Sequence, residues 1–393
     1  MFTRRSLTAA LAAGLAAPTA GFAGQPPAPT RLPIRVSYNR LWTPVKLDGK
    51  GPFRFMIDTG ADDYVVDPGF AEETGLKKTL SRDVAGLVGD ENRNVYWASQ
   101  VVIGDALKDQ NVTMISGHLG DFVVGAIPAW VLGAFTTELD FPAGEMRIYD
   151  GGGPPLDGFE RVRLAHRERR LGGHLNAATI VDPSLMTDVV LNGKTLRVCI
   201  DTGSPNALTL YPPAVRRMGL WNADKWLPSP GRGVTGAFDG RTVRLDTLQF
   251  GGSTLERPLI NLIDPTRTSY GSEEIDGLLG MDMIRRFNLV LDAKQHALWL
   301  KPNPMLGQVQ RFDRSGLHCA PGADRRLRVV AVMPDSPAAK SGVEKGDVVL
   351  PHSKDGAMGF WWALSGGPGE VVQFDIERDG KVQPVQLVLK DLI

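Results

Sequence analysis

The sequence predicts a mainly β protein of two similar lobes followed by a small α+β domain. Three observations carry that prediction. Most segments alternate or run apolar over four to eight residues, with Gly, Pro, Asn and Asp between them, which is the pattern of strands and turns. The triplet Asp-Thr-Gly occurs twice, as Asp58-Thr59-Gly60 and Asp201-Thr202-Gly203, each closing an apolar run. The same order of elements surrounds both copies. A carboxylate at the end of a buried strand is costly unless it is hydrogen-bonded or put to work, so two in matching settings point to two facing half-sites.

Taken in order, the chain opens with a targeting segment. Arg4-Arg5 precede an apolar stretch from Leu7 to Ala17, and small residues follow to Ala23. These are the regions of a secretory signal, expected over residues 1–23, and Thr3 to Leu7 also resembles a twin-arginine export signal. The apolar run is about half the ~20 residues that cross a bilayer, so a membrane span in the mature chain is disfavoured. A periplasmic or secreted destination is expected. A Pro-rich spacer is expected over 24–33, then lobe 1 over 34–150, a Gly/Pro linker over 151–160, lobe 2 over 161–301, a second linker over 302–315 and the small domain over 316–393.

With 393 residues, 42% hydrophobic and 22% charged, each unit has enough apolar residues for a core. Forty-four basic residues balance forty-four acidic ones with no basic stripe, which argues against nucleic acid as a partner. Two cysteines, Cys199 and Cys319, make no disulfide framework, and a bridge between them is not expected. The six histidines have no metal-ligand spacing, no Gly-x-Ser-x-Gly is present, and there is no phosphate-binding glycine loop. No metal or organic cofactor is expected.

The duplication is extensive. Leu47-Asp48-Gly49-Lys50 corresponds to Leu191-Asn192-Gly193-Lys194, and Asp-Gly or Asn-Gly between apolar runs signals a hairpin. Pro68 to Leu76 corresponds to Pro212 to Leu220, each a short helix opened near Pro and closed by Gly. Trp130-Val131-Leu132-Gly133 is aligned with Gly277-Leu278-Leu279-Gly280, and strand pairs follow over Glu138 to Tyr149 and Asn288 to Leu300. On that alignment six residues separate Gly133 from Asp140, against eleven between Gly280 and Asp292. Lobe 1 is therefore expected to have a shortened frame.

These residues resemble the aspartic peptidases over roughly 34–301. Met56 to Val66 is similar to the retroviral-type signature, Ile200 to Leu208 to the pepsin type, and Ile275 to Gly280 to the hydrophobic-hydrophobic-Gly element of that family. The resemblance implies a bilobed pepsin/retropepsin-like acid protease fold, a polypeptide substrate, and Asp58 and Asp201 as the catalytic pair. One chain carries both halves, so a monomer is expected. Like charges a few ångströms apart cannot both ionise, so such a pair holds a base and an acid at once. By resemblance, Thr59 and Thr202 would lock the two loops through buried hydroxyls, while Gly60 and Gly203 let the backbone approach the carboxylates. Asp62 and Asp63 are read as structural or substrate-edge residues. A mobile cover is expected at Gly86-Leu87-Val88-Gly89 in lobe 1 and at Gly233-Val234-Thr235-Gly236 in lobe 2.

The C-terminal region from Gly316 resembles a PDZ domain, best over Val329 to Leu350 with Ser336-Pro337-Ala338-Ala339 starting a helix and Gly346-Asp347 a turn. The resemblance implies that Gly316-Leu317-His318-Cys319 receives the carboxylate of a peptide C-terminus. Pro351 to Lys354 interrupts a strand there, and the second helix is reduced to about Met358 to Leu364. The leading expectation is an exported aspartic endopeptidase. Its rival is a non-catalytic peptide-binding adaptor with the same bilobed cleft, whose main support is the shortened lobe 1.

Overall fold

The computed structural model describes residues 28–393 except 87–88, 134, 170–179, 234–235, 267–273, 293–294, 323 and 325. The expected signal segment lies outside the described residues. The structure is mainly β, as the patterning predicts.

Both predicted hairpins form. Asp48 and Gly49 sit at φ 50° and 79°, Asn192 and Gly193 at 47° and 76°. Two consecutive left-handed residues match the twist of the flanking strands, so Asp-Gly and Asn-Gly select this turn. The side chains then tie down the next element. Asp48 Oδ1 accepts from the Gln100 amide at 2.9 Å, and Asn192 Oδ1 from the Asp246 and Thr247 amides at 3.1 and 3.0 Å. The hairpins deliver the strands Lys50–Asp58 and Lys194–Asp201, which end on the two aspartates.

Beyond each triplet a short strand leads into a helix. Pro68–Thr74 is capped by Asp67, which accepts from the Phe70 amide, and closes at Gly75 with φ 76°. Pro212–Met218 starts at Tyr211 without a side-chain cap and closes at Gly219 with φ 67°. Pro at the start and Gly after the end are as predicted.

The Asp58 strand pairs in parallel with Gly125–Pro128, Asp58 opposite Pro128. The Asp201 strand pairs in parallel with Gly277–Gly280, Asp201 opposite Gly280. This register corrects the alignment made on sequence. The equivalent of Gly277–Gly280 is Gly125–Pro128, and the stretch aligned before, 130–133, lies in the helix Ala129–Gly133. That helix corresponds to Met281–Ile284. Counted from Pro128, eleven residues precede Asp140, as eleven lie between Gly280 and Asp292. Lobe 1 is not shortened.

The two lobes share a six-stranded sheet. Its order is Thr30–Pro33, Glu145–Tyr149, Thr136–Asp140, Phe287–Asp292, Ala297–Pro302 and Glu160–Arg163. Lobe 1 meets lobe 2 where Thr136 faces Asp292 and Leu139 faces Leu289 in antiparallel register. The spacer is thus shorter than expected, since residues 30–33 already pair with Glu145–Tyr149. One apolar cluster runs through both lobes, from Phe55 and Ile57 to Ile200, Leu279 and Phe287.

The C-terminal unit is an antiparallel sheet in sequence order, Leu317–Pro321, Leu327–Val332, Val348–Pro351, Val371–Arg378 and Lys381–Val388. It has its own core of Leu317, Val329, Phe360, Leu364, Phe374 and Leu387. Ser336 caps Pro337–Lys340, and the strand opened at Val348 stops at Pro351 after pairing with Phe374. The second helix spans Gly356–Leu364, two residues longer than expected. Linker 302–315 is pinned rather than loose. The fully buried Arg286 donates to the carbonyls of Met305, Leu306 and Gln308 at 3.3, 2.7 and 2.7 Å, and to the Asp282 carbonyl at 2.6 Å.

The turn Tyr38-Asn39, at φ 56° and 54°, touches the other bodies. The Tyr38 hydroxyl donates to Asp355, and its ring meets Trp362 edge-on at 5.7 Å and Phe122 at 5.1 Å. Asn39 donates to the Pro205 carbonyl of lobe 2 at 3.1 Å. Trp362 also lies under the Arg311 guanidinium at 4.3 Å, so it serves packing between the C-terminal unit and lobe 1.

Candidate active site

The two triplets meet where lobe 1 faces lobe 2. The Thr59 hydroxyl donates to the Ile200 carbonyl at 2.6 Å and accepts from the Thr202 amide at 3.0 Å. The reciprocal pair is present as well: the Thr202 hydroxyl donates to the Ile57 carbonyl at 2.7 Å and accepts from the Thr59 amide at 3.1 Å. Both threonines are buried. Four crossed hydrogen bonds between residues 141 to 145 apart in sequence fix the loops as a near-symmetric pair.

Each carboxyl is held by its own loop. Asp58 Oδ1 accepts from the Gly60 amide at 2.9 Å, and Asp201 Oδ1 from the amides of Gly203 and Ser204 at 2.8 and 3.1 Å. Each carboxyl also acts on the titration of the other. The glycines are required by space. A Cβ on Gly203 would lie 2.4 Å from Asp58 Oδ1, and one on Gly60 would lie 2.8 Å from Asp201 Oδ1. Each loop thus presents bare backbone to the opposite carboxyl.

Burial raises Asp201 most, followed by the charge of Asp58, and together they push it up to about 8. Asp58 is also raised, chiefly by burial, while the Gly60 amide and the Arg40 guanidinium oppose the rise. The pair therefore keeps a shared proton far above the ordinary carboxylate range, and the titration belongs to the pair rather than to either residue.

Around this centre the other predicted residues fall into place unevenly. Gly86 and Gly89 face each other at the end of the long hairpin Lys77–Gly86 and Gly89–Ile103. Gly233 and Gly236 do the same in the short hairpin Gly231–Gly233 and Gly236–Phe238. The tips, 87–88 and 234–235, lie outside the described residues. Asp63 pairs with Arg82 on the arm of the long hairpin, a structural tie.

The Gly316 loop is occupied by its own chain. Its amide donates to Asp313 Oδ2 at 3.1 Å, and the Leu317 amide to Ser315 Oγ at 3.0 Å. His318 and Cys319 lie in a strand paired with Leu327–Val332. Burial pushes the Cys319 thiol up to about 12, and neither cysteine is in a disulfide. Among the described residues no cluster of His, Cys, Asp and Glu is placed to hold a metal ion, and no helix is long and apolar enough to cross a membrane.

Sequence reasoning missed Arg40. It opens the strand Arg40–Leu47, and its Nη1 donates to the Gly203 carbonyl at 3.3 Å. A single arginine at a strand start carries no signal in sequence that separates it from a surface residue.

Two stretches of the chain, residues 43–133 and 187–283, match the family model of the aspartyl proteases. The chain is similar to that family in both lobes. Each stretch spans one hairpin, one Asp-Thr-Gly loop and the strand paired in parallel with it, so the match falls on the elements that build this centre. It supports an aspartic peptidase, and with it hydrolase and protease function. No curated protein matches the chain.

Proposed function

We propose that the chain is an exported aspartic endopeptidase in which Asp58 and Asp201 act as one catalytic pair. The observation that carries this reading is the pair of matched backbone cradles, locked by the crossed threonine hydroxyls, in which each loop abuts the carboxyl of the other. A binding protein has no need to hold two acids so close that one must keep its proton. The ionised member takes a proton from a water between them, and that water attacks the peptide carbonyl. The protonated member polarises the carbonyl and then helps protonate the leaving amine. The hairpins ending at Gly86–Gly89 and Gly233–Gly236 serve as covers over an extended substrate. The C-terminal unit is PDZ-like and serves docking of substrate or partner. The amides of Gly316 and Leu317 would first have to leave Asp313 and Ser315 to receive a peptide carboxylate. Export rests on the N-terminal pattern of residues 1–23.

The non-catalytic adaptor loses its main support, because lobe 1 has the full frame of lobe 2. The test is cleavage of an unfolded protein by the wild type, Asp58→Asn and Asp201→Asn from acid to neutral pH. The proposal expects cleavage by the wild type alone. Equal cleavage by all three would overturn the pair, and a silent wild type across a diverse peptide library would favour the adaptor.

A further inference from the structure

Two arginines, the fully buried Arg286 and the half-buried Arg40, are treated very differently. Arg286 is surrounded by carbonyls and by Asp282, and its role in pinning the linker explains it fully. Arg40 donates to one carbonyl, Gly203, and its Nη1 otherwise lies 3.8 Å from the Met56 sulfur. Its Nε is buried without a hydrogen-bond partner. A half-buried cation whose Nε is buried and unbonded is costly unless opposite charge lies close. The charges that act on it are Asp58 from lobe 1 and Asp201 from lobe 2, and both favour its charged form against burial. The charge of Arg40 in turn opposes the rise of Asp58. The nearby Asp282 carboxylate is already paired with Arg285 and Arg286.

The position of Arg40 is fixed from both sides. The tight Tyr38-Asn39 turn precedes it, with Asn39 held to Pro205 of lobe 2, and Met56 follows Arg54 and Phe55 on the neighbouring strand into Asp58. The side chain thus reaches from lobe 1 to the carbonyl of the lobe 2 loop whose backbone abuts Asp58.

We infer that Arg40 is a positioning residue for the aspartate pair: it ties the strand Arg40–Leu47 of lobe 1 to the Gly203 loop and sets a permanent cation beside the two carboxyls. A cation there favours the singly ionised pair over the neutral one, and the doubly ionised pair over the singly ionised one. Removing it moves both proton losses to higher pH. The inference rests on the proposed pair, so its test needs a readout that does not depend on cleavage.

That readout is a carboxyl-carbon NMR titration of the full chain labelled at aspartate, with Asp58→Asn and Asp201→Asn to identify the signals. Arg40→Gln is expected to titrate the pair at higher pH than wild type, and Arg40→Lys to restore the wild-type curve. Where cleavage is measured, the ratio of wild-type to Arg40→Gln kcat/KM should be several-fold larger on the acid limb than on the alkaline limb. An unchanged titration in folded Arg40→Gln would overturn the inference. Should Arg40→Gln not fold, Arg40→Lys decides: it keeps the cation, so a curve displaced from wild type overturns the inference and a coincident one supports it. Failure of every substrate to be cleaved would sink the peptidase reading and leave the titration to judge Arg40.

Discussion

Replacing Thr59 by Val exchanges a hydroxyl for a methyl at nearly constant volume, in a position 4% exposed. The change removes the bond to the Ile200 carbonyl at 2.6 Å and the one from the Thr202 amide at 3.0 Å. The new methyl fills the space, so water cannot replace either partner. A buried polar group left unsatisfied costs ~1–3 kcal/mol, and two such groups cost about 2–6 kcal/mol. That is a large share of the ~5–15 kcal/mol that holds a folded protein together. Thr59→Ser keeps both bonds and gives up one methyl, worth about 1 kcal/mol. Urea unfolding of the wild type and both variants checks the difference. Thr202→Val should behave like Thr59→Val, because its hydroxyl serves Ile57 and Thr59 in the same way. If Thr59→Val loses no more stability than Thr59→Ser, the crossed hydroxyls do not hold the lobes together and the reasoning fails.

Three further outcomes are expected. Gly203→Ala puts a methyl 2.4 Å from Asp58 Oδ1 and should lower kcat/KM by about 100-fold, with the variant still folded by circular dichroism. Asp201 is raised in the folded state to about 8, so folding retains a proton that the unfolded chain loses near pH ~4. The stability this contributes is complete below about pH 4 and is lost as pH rises to about 8, so thermal melts should show Asp201→Asn gaining on the wild type across that interval. Arg286→Met removes the donor to three linker carbonyls while Arg285 still pairs with Asp282, and at ~1–3 kcal/mol for each stranded carbonyl it should cost about 3 kcal/mol or more, with new protease sensitivity between residues 303 and 310 in limited digestion.

Much of this was legible in the sequence where backbone chemistry is local. Asp48-Gly49 and Asn192-Gly193 demand left-handed turns, and Pro68 with Gly75 and Pro212 with Gly219 bound helices for the same kind of reason. The strand beside each aspartate was harder. Gly280 is packed so tightly that a Cβ would meet the Asn206 carbonyl at 2.3 Å, whereas lobe 1 places Pro128 in that register. Matching by spelling therefore chose the wrong residues, since the halves share a strand register and not a residue there. The shared sheet was invisible for another reason: pairing of Leu139 with Leu289 is a choice among many apolar partners, made by the whole core. Arg40 was hidden because its meaning comes from lobe 2, which only folding brings to it.

The shared sheet also sets when the site comes into being. Its middle seam joins Thr136–Asp140 to Phe287–Asp292, and lobe 1 alone would leave that strand as a bare edge. During synthesis Asp58 emerges early, yet the Ile200 carbonyl, the Thr202 amide and the seam strand all come later. The two carboxyls are thus brought together only once lobe 2 has been made and docked.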